Sequence, residues 1–193
     1  LDGSNYTIDY GNYTSLSGIV EMSSNVTSYA VAPKVQNLTI SGGTTADNGG
    51  FVVRTETKYM TVIDCSSTGD ITGADSGGIA GSNIGQGGDV SFINCHSYGE
   101  TTSDSAYGIV GSISTTGSVT TSGCTVKQGA QIQAVLENVG VTERWDAATG
   151  STYFTHVGSN ESTSFLDNFS ESTVNNITTL RLNQNISMSE YTM

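Results

Sequence analysis

Proline and basic side chains are scarce in this sequence. Proline occurs once, as Pro33, and six Lys and Arg residues face 18 Asp and Glu residues, for a net charge of −12. Such an acidic surface repels phosphate backbones, so we expect no nucleic-acid partner. No apolar run approaches the roughly 20 residues that cross a bilayer, so we expect no membrane span. The chain opens without a basic leader, as a mature or trimmed product would.

Glycine, serine, threonine and asparagine are abundant instead, with 24 glycines in 193 residues. Ser, Thr and Asn compete for backbone hydrogen bonds, and Gly loses more entropy than other residues in a helix. The composition therefore disfavours long helices. Regularly placed Ile, Val, Phe and Tyr argue against disorder, and the length suits one domain with a continuous core.

The three cysteines mark an internal repeat. Cys65, Cys95 and Cys124 are separated by 30 and 29 residues. The sequence around them repeats as well: residues 62–69 match residues 92–99 in register. Shared spacing together with shared text is typical of a repeat architecture.

A second block follows the first two cysteines, since the pattern Gly-Ile-X-Gly stands at both 78–81 and 108–111. Copies without cysteine are recognisable around 35–40 and 6–8, each followed by a glycine and two apolar residues. Beyond about residue 145 the register fades. Short strands are still predicted there by alternation at 152–157 and 178–182.

A period near 30 residues, short strands and glycine-marked corners predict an all-β fold, a right-handed parallel β-helix. We expect about five to six coils over residues 1–145 and an irregular β region over 146–193 that caps the coils or reaches another subunit. A β-sandwich is the alternative. It does not explain why cysteine recurs at one strand position.

Alternation along a strand predicts which side chains face the core. Ile93 and Cys95 should point inward, and Phe92, Asn94 and His96 outward. The corresponding inward pairs in neighbouring copies are Ile63 with Cys65 and Leu38 with Ile40.

An odd number of cysteines leaves at least one thiol without a partner in the chain. We expect Cys65, Cys95 and Cys124 to form an internal ladder of buried thiols that act as small apolar side chains. Disulfides between neighbouring coils remain geometrically feasible. We expect no metal site, because the chain has no C-x-x-C motif and His96 should face away from Cys95.

The N-x-[ST] sequence that accepts N-linked glycans occurs eight times, always outside the regular central repeats. We expect glycosylation at most of these positions. It would place the protein on the secretory route, and the N-linked glycans would cover part of its surface. Unmodified polar turns are the alternative. The asparagines are Asn5, Asn12, Asn25, Asn37, Asn160, Asn168, Asn176 and Asn185.

Parallel β-helices also host polysaccharide lyases and hydrolases, which need clustered carboxylates or a basic residue beside them. The six cations fall at no repeated position, so we predict no catalytic residues, no cofactor and no enzyme activity. Asp70, Asp75 and Asp104 occupy equivalent loops and could bind Ca²⁺ weakly. We expect them instead to be solvated loop charges.

Residues 94–99, followed by 108–111, resemble GLUG-type repeats. Similar coils occur in surface proteins of bacteria, protists and large DNA viruses. The resemblance covers roughly residues 1–140 and is most specific in 60–115. It implies an extracellular or virion-surface β-helix and brings no catalytic residues. The early coils without cysteine and the unmatched segment after residue 145 depart from the pattern.

Two functions follow as expectations. The first is a secreted, N-glycosylated structural subunit of an extracellular filament, appendage or virion surface, which self-associates because the end strands of a β-helix are unpaired. The second is an adhesin or carbohydrate-binding module that uses Phe92, Tyr98 and Tyr107. An ice-binding threonine face is a remote third.

Overall fold

The structure is a computed structural model that describes residues 1–20, 33–54, 56–127, 130, 142–145, 168–174 and 177–187. Mostly parallel strands stack into a β-solenoid of about four turns, and the described residues include no helix. The predicted all-β parallel solenoid is confirmed. The predicted strand at 152–157 lies outside the described residues.

The described residues form eleven strands. They are β1 (Asp2–Asp9), β2 (Lys34–Ser41), β3 (Met60–Ser67), β4 (Asp89–Ile93), β5 (His96–Ser97), β6 (Ser118–Ser122), β7 (Thr125–Lys127), β8 (Thr142–Trp145), β9 (Phe169–Val174), β10 (Ile177–Leu182) and β11 (Ile186–Ser187). The strand β10 confirms the sequence prediction for 178–182.

One wall of the solenoid is a parallel ladder with the predicted repeat. Leu38 pairs with Cys65, and the residues beside the later cysteines pair in the series Ser66, His96 and Thr125. Each coil hydrogen-bonds its backbone to the next coil, so no single copy needs to form a closed core by itself.

The opposite wall is built from single parallel bridges rather than long strands. Val20, Val53, Ala80 and Val110 align in one column across successive coils. The amides of this wall are paired between coils, as when Ala80 N–H donates to the Ile109 carbonyl at 2.9 Å. The glycine-flanked blocks recognised in the sequence therefore form the second side of the core.

The core is a column of apolar side chains between these walls. Leu38, Cys65 and Cys95 are fully buried, and Cys124 is buried too. The three cysteines occupy equivalent positions in adjacent coils. None of the three cysteines is in a disulfide.

The predicted orientation was wrong in two neighbouring coils, at Phe92 and Ile93 and at Ile63, which is half-buried where an inward side chain was predicted. Phe92 is buried and Ile93 is only half-buried, whereas Asn94 is exposed and Cys95 is buried as predicted. The cause is the backbone of Asn94, whose φ is +50°. A left-handed residue ends the two-residue alternation, so Phe92 and Cys95, three residues apart, both point inward.

The same bend recurs in four successive coils of the ladder wall. Asn37, Asp64, Asn94 and Gly123 each precede a core residue of the Leu38–Cys124 column and have φ values of +54°, +51°, +50° and +66°. Asn, Asp and Gly are the residue types that tolerate this conformation. The bend therefore follows from the residue type before each core position.

The coil count, about four, is lower than the five to six predicted. The C-terminal strands β9, β10 and β11 do not extend the stack past β8. β10 pairs with β1 at Arg181 and Asp2, and β11 pairs with β1 at Ile186 and Ile8. β9 pairs antiparallel with β10. The tail strands therefore lie at the opposite end of the solenoid, over the first coil.

Some repeat glycines are required by the close approach of neighbouring coils. A Cβ on Gly99 would lie 1.8 Å from the carbonyl oxygen of Gly69 in the preceding coil. The backbone of Gly69 cannot move out of the way as the end of a flexible side chain could. A side chain here would push the two coils apart.

Gly99→Ala should therefore destabilise the protein by about 3 kcal/mol, the upper end of the range for overpacked cores. Gly87→Asn is the matched control, because φ is +68° there and the space around its Cβ position is open. That variant should lose less than about 1 kcal/mol, since Asn tolerates a left-handed backbone. Urea unfolding monitored by circular dichroism measures both, and equal losses would contradict this account of Gly99.

Candidate glycan-bearing surface and solenoid ends

The described sequon asparagines differ in exposure. Asn5, Asn12 and Asn185 are exposed, and Asn37 is half-buried. Asn185 uses Oδ1 to accept a hydrogen bond from the Thr7 N–H at 2.9 Å, which leaves its Nδ2 for a glycan. The exposed asparagines therefore present the atom that an N-linked glycan would occupy.

Asn168 is different, because only 5% of its surface is exposed. Its Oδ1 accepts a hydrogen bond from Gln184 Nε2 at 2.5 Å. A glycan on this side chain would have to displace that packing. The remaining sequon residues, Asn25, Asn160 and Asn176, lie outside the described residues.

The first coil and the tail meet at Asp2, a carboxylate that is 8% exposed. Its Oδ1 accepts hydrogen bonds from the Ser4 N–H at 2.9 Å and from Asn37 Nδ2 at 3.1 Å. Its Oδ2 lies 3.4 Å from Arg181 Nη2 on β10. Asp2 thus ties β1, β2 and β10 together.

Burial acts to raise the pKa of Asp2, but the hydrogen bonds from Ser4, Asn37 and Gln36 and the charge of Arg181 more than offset it. The net result is a lowered pKa, so the ionised form is favoured in the folded protein. Apolar contact adds to this junction, because Leu182 and Ile186 of the tail are buried.

Burial lowers the reactivity of two of the three thiols in the cysteine column. Cys65 Sγ lies 3.3 Å from the Ile63 carbonyl oxygen, and burial raises the pKa of Cys65 to about 12. Burial also raises the pKa of Cys95, whereas a hydrogen bond from Cys95 lowers the pKa of Cys124. Because the thiolate is the reactive form, Cys65 and Cys95 are poor nucleophiles and poor metal ligands.

Aromatic rings lie on the outer face of the ladder wall. His96 and Tyr98 stack with ring centroids 6.0 Å apart and planes 7° apart, and His96 Nδ1 lies 2.6 Å from Thr125 Oγ1. Tyr98 is half-buried. Tyr107 is half-buried too but lies on the wall of isolated bridges, where it pairs with Gly77, so it does not share the face of Tyr98. Phe92, the third aromatic predicted for this face, is in the core.

The acidic loops of adjacent coils are joined by hydrogen bonds that involve backbone amides. Asp70 Oδ1 accepts a hydrogen bond from the Glu100 N–H at 3.2 Å, and the Asp75 N–H donates to Ser105 Oγ at 3.3 Å. Within the described ranges, no group of three or more His, Cys, Asp and Glu side chains is placed to hold a metal ion. Asp70, Asp75 and Asp104 are all exposed.

Comparison with known proteins adds no assignment. No family model, no curated protein and no solved structure matches this chain. Across the part of the chain that the structure describes, no helix is long and apolar enough to cross a bilayer.

Sequence reasoning missed two features of these surfaces. One is the Asp2–Arg181 contact, which joins residues 179 positions apart and has no local signal. The other is a polar ladder in which Asn94 Nδ2 donates to Asp64 Oδ1 at 3.1 Å on the outer face. A signal for the ladder existed, since Asn, Asp or Gly precedes each core position.

The junction at Asp2 should weaken in acid. A lowered folded-state pKa contributes stability that is fully present above the unfolded value of about 4 and is lost as the pH falls through the folded value. Asp2→Asn should weaken the junction by roughly 1–3 kcal/mol at pH 7, and its difference from the wild type should vanish near pH 2. Hydrogen exchange of residues 177–187, read by mass spectrometry, measures this.

Asp104→Asn is the control for this prediction, because Asp104 is exposed in a loop of a later coil. It should leave exchange of the tail strands unchanged at every pH. Equal protection of the tail in the wild type and in Asp2→Asn at pH 7 would refute the role of this carboxylate.

The thiols should resist alkylation while the protein is folded. A pKa of about 12 for Cys65 reduces its thiolate fraction near pH 8 roughly 1000-fold relative to an ordinary thiol. Cys124 should react first of the three, because its pKa is lowered. Iodoacetamide labelling with peptide mass spectrometry, in native buffer and in guanidinium, compares them; fast native labelling of Cys65 would contradict the buried column.

Proposed function

We propose that this chain is a secreted, N-glycosylated structural subunit of an extracellular filament, appendage or virion surface. The observation that carries the proposal is a stack of coils joined by backbone ladders, with sequon asparagines exposed around its first coil. Such a body suits a mechanical role rather than a catalytic one.

The construction of the stack supports a structural role. Every coil is bonded to its neighbours along the axis, so a load along or across the axis is shared by many parallel hydrogen bonds. The interior between the walls is filled by residues such as Phe51, Ile79 and Phe92, all fully buried. A filled, regular interior leaves the outer face and the ends as the places for contact.

The positions of the sequons support an extracellular location. Asn5, Asn12 and Asn185 are exposed and lie in or beside the first coil and its tail strands. The net charge of −12 would keep such a surface soluble and would discourage nonspecific contacts. Glycans at these positions would surround one end of the solenoid.

Glycopeptide mass spectrometry of native material tests the proposal. We expect occupied Asn5, Asn12 and Asn185, and the lowest occupancy among the described sites at Asn168 because of its burial. Thr14→Ala should remove one glycan, at Asn12, whereas the control Thr14→Ser keeps the sequon and the glycan. Unmodified asparagines throughout, or purified protein that stays monomeric under the electron microscope at every concentration, would defeat it.

A carbohydrate-binding adhesin is the second candidate, and the stacked His96–Tyr98 pair on the outer face favours it. Flat aromatic faces are suited to contact with the apolar faces of sugars. Binding to a glycan array that Tyr98→Ala abolishes would favour this candidate. Such binding is compatible with assembly. An array without hits would rule out the carbohydrate-binding role and would not affect the structural role.

A further inference from the structure

We propose that the tail strands β10 and β11 of one copy dock on the first coil of the next copy in a head-to-tail assembly. The inference rests on the proposed structural function and names the contact that would join its subunits. The contact is the one that the structure shows within a single chain, made between two chains instead. Such an exchange of identical elements is a low-cost route from monomer to assembly.

The first coil is completed by residues from the other end of the sequence. Leu182 and Ile186 of the tail strands are buried in the same apolar core as Ile8 of β1. The first coil has no preceding coil to cover its apolar side, so these two side chains take that place. Whichever chain supplies the tail, the first coil is incomplete without one.

The contact between the tail and the first coil is made by residues far apart in sequence. Arg181 Nη2 lies 3.4 Å from Asp2 Oδ2, and the Thr7 N–H donates to Asn185 Oδ1 at 2.9 Å. The two pairs are separated by 179 and 178 positions. A second copy therefore offers the same partners in the same geometry as the chain's own first coil.

The tail strands follow β8 in the sequence but lie at the opposite end of the sheet. The strand order β8-β7-β5-β3-β2-β1-β10 puts six steps between β8 and β10, which is about 29 Å at the usual spacing of parallel strands. In a head-to-tail stack, the first coil of the next copy would lie beside the last coil of this one. The tail would then reach a first coil without returning along the whole solenoid, so the order of the elements favours donation to the next copy.

The connecting segment is long enough for this exchange. Between the end of β8 and the start of β9 lie 23 residues, 146–168. A chain of that length spans up to about 80 Å when extended, well beyond the separation of β8 and β10. The exchange therefore requires no change in the coils or in the tail strands.

The glycan acceptors do not obstruct the contact. Asn5, Asn12 and Asn185 are exposed while the tail strands are docked on the first coil. Glycans on these side chains would therefore lie around the junction and outside it. A glycosylated chain could make the contact as well as a bare one.

Donation in one direction gives an open polymer. Each copy has one tail to donate and one first coil to receive a tail, and these two surfaces are different. The contact is therefore heterologous, and it repeats from copy to copy when the rotation between copies does not close a ring. The proposed structural subunit would then grow as a row of copies, each joined to the next by its tail.

Cross-linking of the assembled full-length chain tests which copy supplies the tail. Asp9 and Ser187 are directly paired across β1 and β11, so a short bismaleimide can join Asp9→Cys to Ser187→Cys when one chain carries both. Tail exchange should give a ladder of more than two covalently joined copies on a denaturing gel. Linked products that all run as monomers would show that each tail docks on its own chain and would overturn the inference.

Thr7→Cys with Thr39→Cys is the matched control for the cross-linking. These residues are directly paired across β1 and β2, within the coils of one copy. The same reagent should join them within one chain, so the control should give linked monomers from the same assembled material.

Leu182→Asp tests the contact by a second route, in the glycosylated full-length chain. Leu182 is fully buried, so a carboxylate there should keep the tail from docking. Sedimentation over a concentration series should show the concentration for half-assembly raised at least tenfold, while circular dichroism shows that the coils stay folded. Leu180→Asp is the matched control, because Leu180 lies on the same strand and is 44% exposed. It should assemble like the wild type.

The outcomes separate the tail exchange from the structural function. Polymers that persist unchanged in Leu182→Asp would overturn the exchange and leave the structural function standing. Linked products that stop at two copies would overturn donation in one direction. A wild type that never assembles at any concentration would overturn both proposals.

Discussion

The interaction on which this structure depends is the backbone ladder between successive coils. Each coil of about 30 residues exposes one apolar side, and only the next coil covers it. Cys65, Cys95 and Cys124 are buried because their neighbours above and below occupy the same position. The same dependence explains the repeat glycines, since any side chain at Gly99 would intrude on the backbone of Gly69.

The left-handed residue before each core position is the second constraint. It bends the ladder wall and brings two side chains, three residues apart, onto the core side, as Phe92 and Cys95 show. It also places an Asn or Asp side chain on the outer face, where Asp64 and Asn94 bond to each other. One backbone feature therefore shapes both the interior and the outer polar ladder.

At the two ends of the stack, a coil has a neighbouring coil on one side only. At one end the chain supplies its own tail, held by the buried carboxylate of Asp2 and by Leu182 and Ile186. The tail in turn presents β9 as a new outer strand. Among the described residues, β8 and β9 are the outermost strands of the sheet, and the proposed role as a subunit centres on the coils and their surface rather than on a cleft.

The repeat, the parallel solenoid and the buried cysteines were predictable from the sequence, because the same local text recurs at a fixed interval and stacking is its only route to a core. The inward position of Phe92 was not predicted from simple alternation, since it depends on the φ of Asn94. The return of the tail to β1 was decided by tertiary structure alone. Asp2 and Arg181 are 179 residues apart, and no local pattern encodes a contact between the two ends of a chain.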